Sequence, residues 1–459
     1  MTKNVFAGVG ISKNEDPLQA GKEAVDMAVN NMKKNGGKEP NFGLIFCSRE
    51  KYGNSDSTMQ KFLDGLNSSF SKYKDCKWFG CTTAGEISTY GASEGSCVVL
   101  TVDSKYLHMG IGIGENAEKD PKGCGKNAVE TALSDIKTDK YVDPYIKYLA
   151  EKKLTPAELI KAKPYSVFIL TNGFNYKRRS NEDDIIEGIK DYAGSKVTIF
   201  GGSAGDDFSL KGSYVFYNGK FYKDNVICAV ISTSLGLGFD VEHSYKPKKD
   251  KLMFVNKSEG YIVKQLDKKN SFDRYSEFVG KTKGDLWPKK MKLQNLGPVS
   301  GAFLSFSKKM GVDIMKMSPL LEINCNTPLA VVDLKGRYWL KILDSIVENA
   351  YLRFTEKVPE NTLLYLMETN RERTVEATKN SINKAMNEIR GDTSFLVVID
   401  CALHKWFMGA DTKKNIDLVK DVIKDVPMIG FYSYGELMDG KHSISIASMA
   451  VGENLIVSK

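Results

Sequence analysis

Apolar positions follow two different periods along the chain. Short, continuously apolar runs such as Phe42–Cys47 (FGLIFC) have the pattern of a strand buried on both faces. Elsewhere apolar residues recur three and four apart, as at Ala20, Ala24, Met27, Ala28 and Met32, the stripe of an amphipathic helix. Asp16 stands where an N-cap belongs and Pro17 at the first helical position, so that helix starts there. Thr155 and Glu158 form a second start, a hydroxyl cap with its capping-box acid around Pro156. The same periods predict helices near 56–72, 125–136, 182–193, 370–390 and 412–425. They predict strands near 96–102, 165–171, 226–233, 329–334, 363–367, 395–400 and 443–451. This alternation implies an α/β fold, two domains built from repeated strand–helix–strand units with mixed sheets. The least regular stretch is about 244–300, with SYKPKK from Ser244 and WPKK from Trp287. A junction is expected at 244–256, between domains 1–243 and 257–459.

Three segments share one grammar. FGLIFC (Phe42) leads through a helix to WFGCTTAGE (Trp78), YSVFIL (Tyr165) to TIFGGSAGDD (Thr198), and FLVVID (Phe395) to MIGFYSYGE (Met428). Each then meets another apolar strand, SCVVLTV, VICAVIS or SISIASM. From strand start to the shared glycine the spacings are 43, 40 and 40 residues. Aligned on that glycine, each segment reads hydroxyl, any residue, glycine, acid. The first copy is Thr82, Thr83, Gly85 and Glu86, the second Ser203, Gly205 and Asp206, the third Ser433, Tyr434, Gly435 and Glu436. Glycine admits a positive φ or a close backbone approach, and the flanking oxygens can satisfy freed backbone amides. On that reading the turn serves only itself. The alternative is convergence in a cleft at the strand ends, where the carboxylates meet an ammonium group and the hydroxyls and amides meet a carboxylate.

Composition narrows the partners. The net charge is +8, but only nine of the 65 basic residues are arginine and the lysines are scattered among 57 acids. A nucleic-acid reader clusters its charge and favours arginine, so nucleic acid is not expected. The densest run, Lys246, Lys248, Lys249 and Lys251, reads as a solvated linker. No window approaches the roughly 18 uncharged apolar residues of a membrane helix, and the N-terminal residues lack a secretory pattern. Eight cysteines without a CxxC pair suit reduced thiols in a cytoplasm.

The GCTTAGEI stretch (Gly80–Ile87) and the VPMIGFYSYGEL stretch (Val426–Leu437) are the carriers of a family resemblance. Val9-Gly10, Asp16-Pro17, Ala20-Gly21 and Ser318-Pro319-Leu320 support it, and Val358–Asn361 (VPEN) departs from a usual Pro-Glu-Gly turn. Together they resemble the N- and C-terminal halves of a FIST protein over nearly the whole chain. The resemblance implies a sensory, ligand-binding module for which amino acids are the proposed ligands. It implies a small polar metabolite as ligand and, with no signalling domain alongside, a separate signalling or client protein as partner. Two positions depart from the family pattern. A Cys-x-x-Arg element reads Cys401-Ala402-Leu403-His404 here, replacing a permanent cation by a titratable one, and a His-Asn pair reads His442-Ser443.

Other chemistries find little support. Gly125-Lys126-Asn127 lacks the first glycine and the hydroxyl of a phosphate loop, and Gly110–Gly114 (GIGIG) reads as a glycine-rich strand. His108, His243, His404 and His442 make no i, i+4 pair, so neither a metal nor a cofactor is expected. His404 and His442, both near the third turn, read as surface imidazoles or as a pH-responsive couple. Thiol chemistry would fall first to Cys401, although Cys401, Cys325 and Cys81 read more plainly as small core residues. No complete set of nucleophile, base and oxyanion donor emerges, so an enzyme is not expected. Gly336–Leu340 (GRYWL), Tyr432 and Tyr434 could stack on a ligand or pack internally.

Overall fold

The computed structural model describes residues 3–136, 165–175, 179–286, 319–334, 336–389, 391–408 and 412–455. The helix start at Thr155 and the Trp287–Lys290 segment lie outside the described residues. The fold is α/β with mixed sheets.

Each of the three related segments builds one six-stranded sheet. The first sheet orders Phe6–Ser12, Cys97–Asp103, Phe42–Ser48 and Lys77–Thr83, then the hairpin Val215–Tyr217/Lys220–Tyr222. The second orders Leu107–Glu115, Asn225–Thr233, Ser166–Asn172 and Thr198–Ala204, then Glu436–Met438/Lys441–His442. The third orders Leu235–Glu242, Ile446–Leu455, Thr393–Cys401 and Met428–Ser433, then Glu86–Ser88/Gly91–Ser93. In each, the third and fourth strands pair in parallel and the other ladders are antiparallel. The hairpin at the edge of every sheet comes from a different repeat. The first repeat lends its hairpin to the third sheet, the second to the first, and the third to the second. No sheet is complete within its own segment.

The central strands are continuously apolar because both faces are covered. Their inner faces pool into one aromatic core. Phe46 meets Phe431 at 4.5 Å, Phe79 meets Phe168 at 5.7 Å, and Phe200 meets Phe239 at 5.8 Å. Helices cover the outer faces: Pro17–Lys34 and Asp56–Phe70, Pro121–Asp135 and Glu182–Ala193, Arg371–Glu388 and Thr412–Ile423. Asp16 caps the first of these, its Oδ1 accepting from Gln19 N at 2.9 Å, as its position in the sequence suggests. GIGIG lies in the strand Leu107–Glu115, where the glycines let a helix press onto the sheet. A Cβ at Gly112 would fall 2.1 Å from Ala128 O.

Strands lying between Lys246 and Glu368 form a fourth, eight-stranded sheet, placed in the chain between the first strand and the first helix of the third repeat. The expected junction thus carries a strand, Lys246–Glu259, with a register shift between Pro247 and Leu252. The lysine run stands out from it in solvent. Ladders also cross the expected boundary, since Leu235–Glu242 pairs with Ile446–Leu455.

Candidate functional site

The three turns meet and are tied in a ring by their backbones. Gly205 N donates to Thr82 O and Asp207 N to Thr83 O, both at 2.9 Å, joining the second turn to the first. Ala84 N donates to Tyr432 O at 2.9 Å and Tyr432 N to Gly85 O at 2.8 Å, joining first and third. Ser203 N donates to Gly435 O at 2.8 Å and Tyr434 N to Ser203 O at 3.0 Å, joining third and second. The glycines permit this approach. Gly85 has φ +131°, and a Cβ on Gly205 would lie 2.6 Å from Ala84 N. Gly435 has Lys441 Cε and Ser203 Oγ where its Cβ would point, at 2.8 and 3.3 Å.

Two of the acids close their own turns. Glu86 is fully buried and accepts from Thr83 Oγ1 at 2.6 Å, Ser96 Oγ at 2.5 Å and Ser96 N at 3.1 Å. Glu436, equally buried, accepts from Ser433 Oγ at 2.5 Å, Ser445 Oγ at 2.8 Å and Ser445 N at 3.2 Å. Desolvation outweighs these bonds. It raises the Glu436 carboxyl to about 7. Desolvation, then the charge of Asp207, raises that of Glu86.

The second turn departs from the pattern. Asp206, a methylene shorter, turns into the following loop and accepts from Ser209 Oγ, Leu210 N, Gly212 N and Tyr434 Oη. The hydroxyl of Ser203 donates instead to Glu182 at 2.9 Å, at the start of a helix. Glu182 is buried beside Ser180 and the Lys441 ammonium, which lies 3.2 Å away. Burial pushes the Lys441 ammonium down, and Glu182 and Glu356 more than offset this, so it stays charged. The loop that follows holds Asp207, Phe208 and Leu210 at positive φ, a strained backbone for side chains of this bulk.

Where the first turn meets the third, Lys405 Nζ donates to Ala84 O at 2.7 Å and pairs with Glu94 at 2.7 Å. It sits 5.6 Å from the centre of the Tyr432 ring. Beneath it, the His404 Nδ1 and Asp400 Oδ1 atoms are 2.8 Å apart, and both side chains are buried. His404 is therefore no surface imidazole. His442 does not join it in a couple. It stacks on Trp339 at 4.2 Å, and desolvation lowers it to about 3. Cys401 is buried beside Asp400, and desolvation raises its thiol well above the ordinary range, so the thiolate is disfavoured. All eight cysteines are buried. Tyr338 packs edge-on against Tyr365, an internal role.

Sequence reasoning missed Glu182, Lys441 and Asp400 as parts of the site. Asp400 had a visible signal, as the lone acid among the strand endings FGLIFC, YSVFIL and FLVVID. Glu182 and Lys441 had none, because a loop and a hairpin from different repeats bring them together. Among the described residues, no group of three or more His, Cys, Asp or Glu is placed to hold a metal ion, and no helix is long and apolar enough to cross a membrane.

Comparison with known proteins gives two family matches, the FIST N domain over residues 41–269 and the FIST C domain over 315–439. An uncharacterized protein of Methanocaldococcus jannaschii, MJ1623, is 27% identical over 327 residues, covering 67% of this chain. The chain spans 58% of that relative's length. Among solved structures, cyanuric acid hydrolase from A. caulinodans is similar at 9% identity and a TM-score of 0.25, over 50% of this chain and 71% of its own. Thiamine monophosphate kinase from Aquifex aeolicus is similar at 14% identity and a TM-score of 0.18, over 50% and 87%. Likenesses this distant carry no argument about activity.

Proposed function

Because the chain belongs to the FIST family, we propose that it is a sensory protein that takes a small polar, amino-acid-like metabolite where its three turns meet, and signals through a separate partner protein. FIST domains are known small-ligand sensory modules. The observation that carries the reading for this chain is the backbone ring joining all three turns. A ligand that shifts one turn must shift the other two, so one binding event is felt in every sheet. We place the protein in the cytoplasm, with a binding rather than a catalytic role.

The turn acids are already occupied, Glu86 and Glu436 by hydroxyls and amides of their own turns and hairpins and Asp206 by the following loop and Tyr434, so they would support a ligand site as its rigid floor. The ligand contacts would fall on the rim around Asp207, Lys405 and Tyr432. A thermal-shift panel of zwitterions and small acids at millimolar concentration tests this. One chemical class should raise the melting temperature in proportion to the logarithm of its concentration. A flat response across the panel would sink the reading.

A second reading, a client-binding platform, draws on the fourth sheet. Leu252 and Phe254, two residues apart on one strand, are 41% and 37% exposed there. A stoichiometric partner retained from native lysate by the parent and lost in a Leu252→Ser/Phe254→Ser variant, with no response to metabolites, would favour it.

A further inference from the structure

Lys341 ends Tyr338–Lys341, an edge strand of the fourth sheet, and is only 6% exposed. Trp339, two residues earlier, points to the same face, and its ring stacks on His442 at 4.2 Å. That face therefore lies against the hairpin Glu436–His442 of the third repeat, and Lys341 is turned into the seam between them. Among the described residues, Lys341 Nζ makes no hydrogen bond and no ion pair. The nitrogen is not one of the sealed unpartnered atoms of the interior, so the small opening of this residue lies at its tip.

Two acids face this amine, Glu356 and Asp183, and both are occupied elsewhere. Glu356 accepts from Ile342 N at 2.9 Å, from Thr355 Oγ1 at 2.6 Å and from the Ser443 hydroxyl. Asp183 accepts from Lys441 N at 2.9 Å and from Lys357 N at 3.0 Å. The Lys441 ammonium, also nearby, is held by Ser180 and Glu182 and keeps its charge. Burial pushes the Lys341 ammonium down, Glu356 and Asp183 push it up, and the Lys441 charge pushes it down again, with a net lowering. A buried lysine that only ties a fold together is paired. This one stands apart from every carboxylate and beside a second cation, surroundings that free the lone pair of an amine.

We propose that Lys341, unpartnered in the seam between the fourth sheet and the hairpin of the third repeat, is a nucleophilic amine that captures a small aldehyde as an imine. The Nζ lone pair attacks the carbonyl carbon, and the C–N bond forms as the C=O π pair moves onto oxygen. The carbinolamine then loses that oxygen with both amine hydrogens as water, leaving R–N=CHR′. No oxidant or reductant is needed, and water reverses the step. When protonated, the imine is a cation facing Glu356 and Asp183, as the ammonium was. A guest bearing its own carboxylate would add a third negative charge beside those two acids, which favours a simple aldehyde. The narrow opening at the tip of the side chain favours a short one. This site lies apart from the ring of turns and does not depend on the ligand reading made for it.

The test treats the full-length protein with acetaldehyde and sodium cyanoborohydride, which reduces an imine to a stable ethylamine, and follows each lysine by peptide mass spectrometry. At pH 7 Lys341 should be ethylated at least about tenfold faster than the surface lysines, since each unit by which an amine is lowered exposes about ten times more free base. Between pH 9 and pH 7 the surface lysines should slow about tenfold per unit, and Lys341 should slow less. Without the reductant, [1-13C]acetaldehyde should give a saturable imine carbon signal in the parent that is lost in Lys341→Met. Lys341 left unmodified while surface lysines react, or modified in step with them at every pH, overturns the proposal, and neither result depends on a variant that folds. An imine signal unchanged in a folded Lys341→Met protein overturns it as well. A flat metabolite panel alongside rapid capture at Lys341 upholds this site and counts only against the reading made for the turns.

Discussion

Glu436 is a fully buried carboxyl group raised by desolvation from an ordinary 4.5 to about 7. The folded state therefore holds its proton more tightly than the unfolded chain. Its stabilising contribution is complete below pH 4.5 and is lost as the pH climbs toward 7, at up to about 1.4 kcal/mol per unit. Glu86 is raised in the same direction and steepens the fall. Urea midpoints should decrease between pH 5 and pH 7.5, and Glu436→Gln should flatten that slope; an unchanged slope would show that Glu436 titrates normally. Tyr434 makes a second prediction at this scale. Its hydroxyl donates to Asp206 at 2.5 Å and accepts from Phe208 N at 2.9 Å, so Tyr434→Phe leaves buried polar groups short of a partner. A loss of about 1–3 kcal/mol in urea denaturation is expected. The hydroxyl–acid pairing at the first and third turns was legible from spacing alone. The second was not, since Asp206 has the spacing of a glutamate without its reach, and Glu182 answers Ser203 from a distant helix start.

Helices and long strands followed the hydrophobic periods closely, from Glu182–Ala193 to Arg371–Glu388. The hairpin strands did not, because pieces such as Glu86–Ser88 and Val215–Tyr217 are three residues long and carry no period. The first strand of each repeat was also only partly legible. GIGIG read rightly as a glycine-rich strand, but nothing in the sequence showed that the glycines of these strands admit a helix. Gly8, Gly112 and Gly238 would each drive a Cβ to within 2.3 Å or less of a helix carbonyl. Gly112→Ala must therefore push Pro121–Asp135 off its sheet. A destabilisation of at least about 1–3 kcal/mol is expected by thermal or urea unfolding, and a neutral result would mean the helix rides free of the strand.

At the scale of the molecule, the exchange of hairpins makes the three sheets one cooperative body. Their central strands should show similar, slow amide exchange and a single calorimetric transition. A separate early melting of one sheet would contradict the exchange. None of this was legible in the sequence. The repeat announced three related units, but which unit receives which hairpin depends on contacts hundreds of residues apart. The fourth sheet hid for a similar reason, since an insertion inside the third repeat looks from the sequence like a linker between two domains.

The hairpin Glu436–His442 completes a sheet whose first strand begins at Leu107. On a ribosome adding ~5–20 residues per second, Thr198–Ala204 emerges on the order of tens of seconds before the segment that covers its edge. Through that interval the nascent chain displays the bare rim of an apolar strand, a template for pairing with any neighbour. Synthesis of this protein is thus expected to lean on a holding chaperone, and polysome crowding should be more hazardous to it than dilution after release.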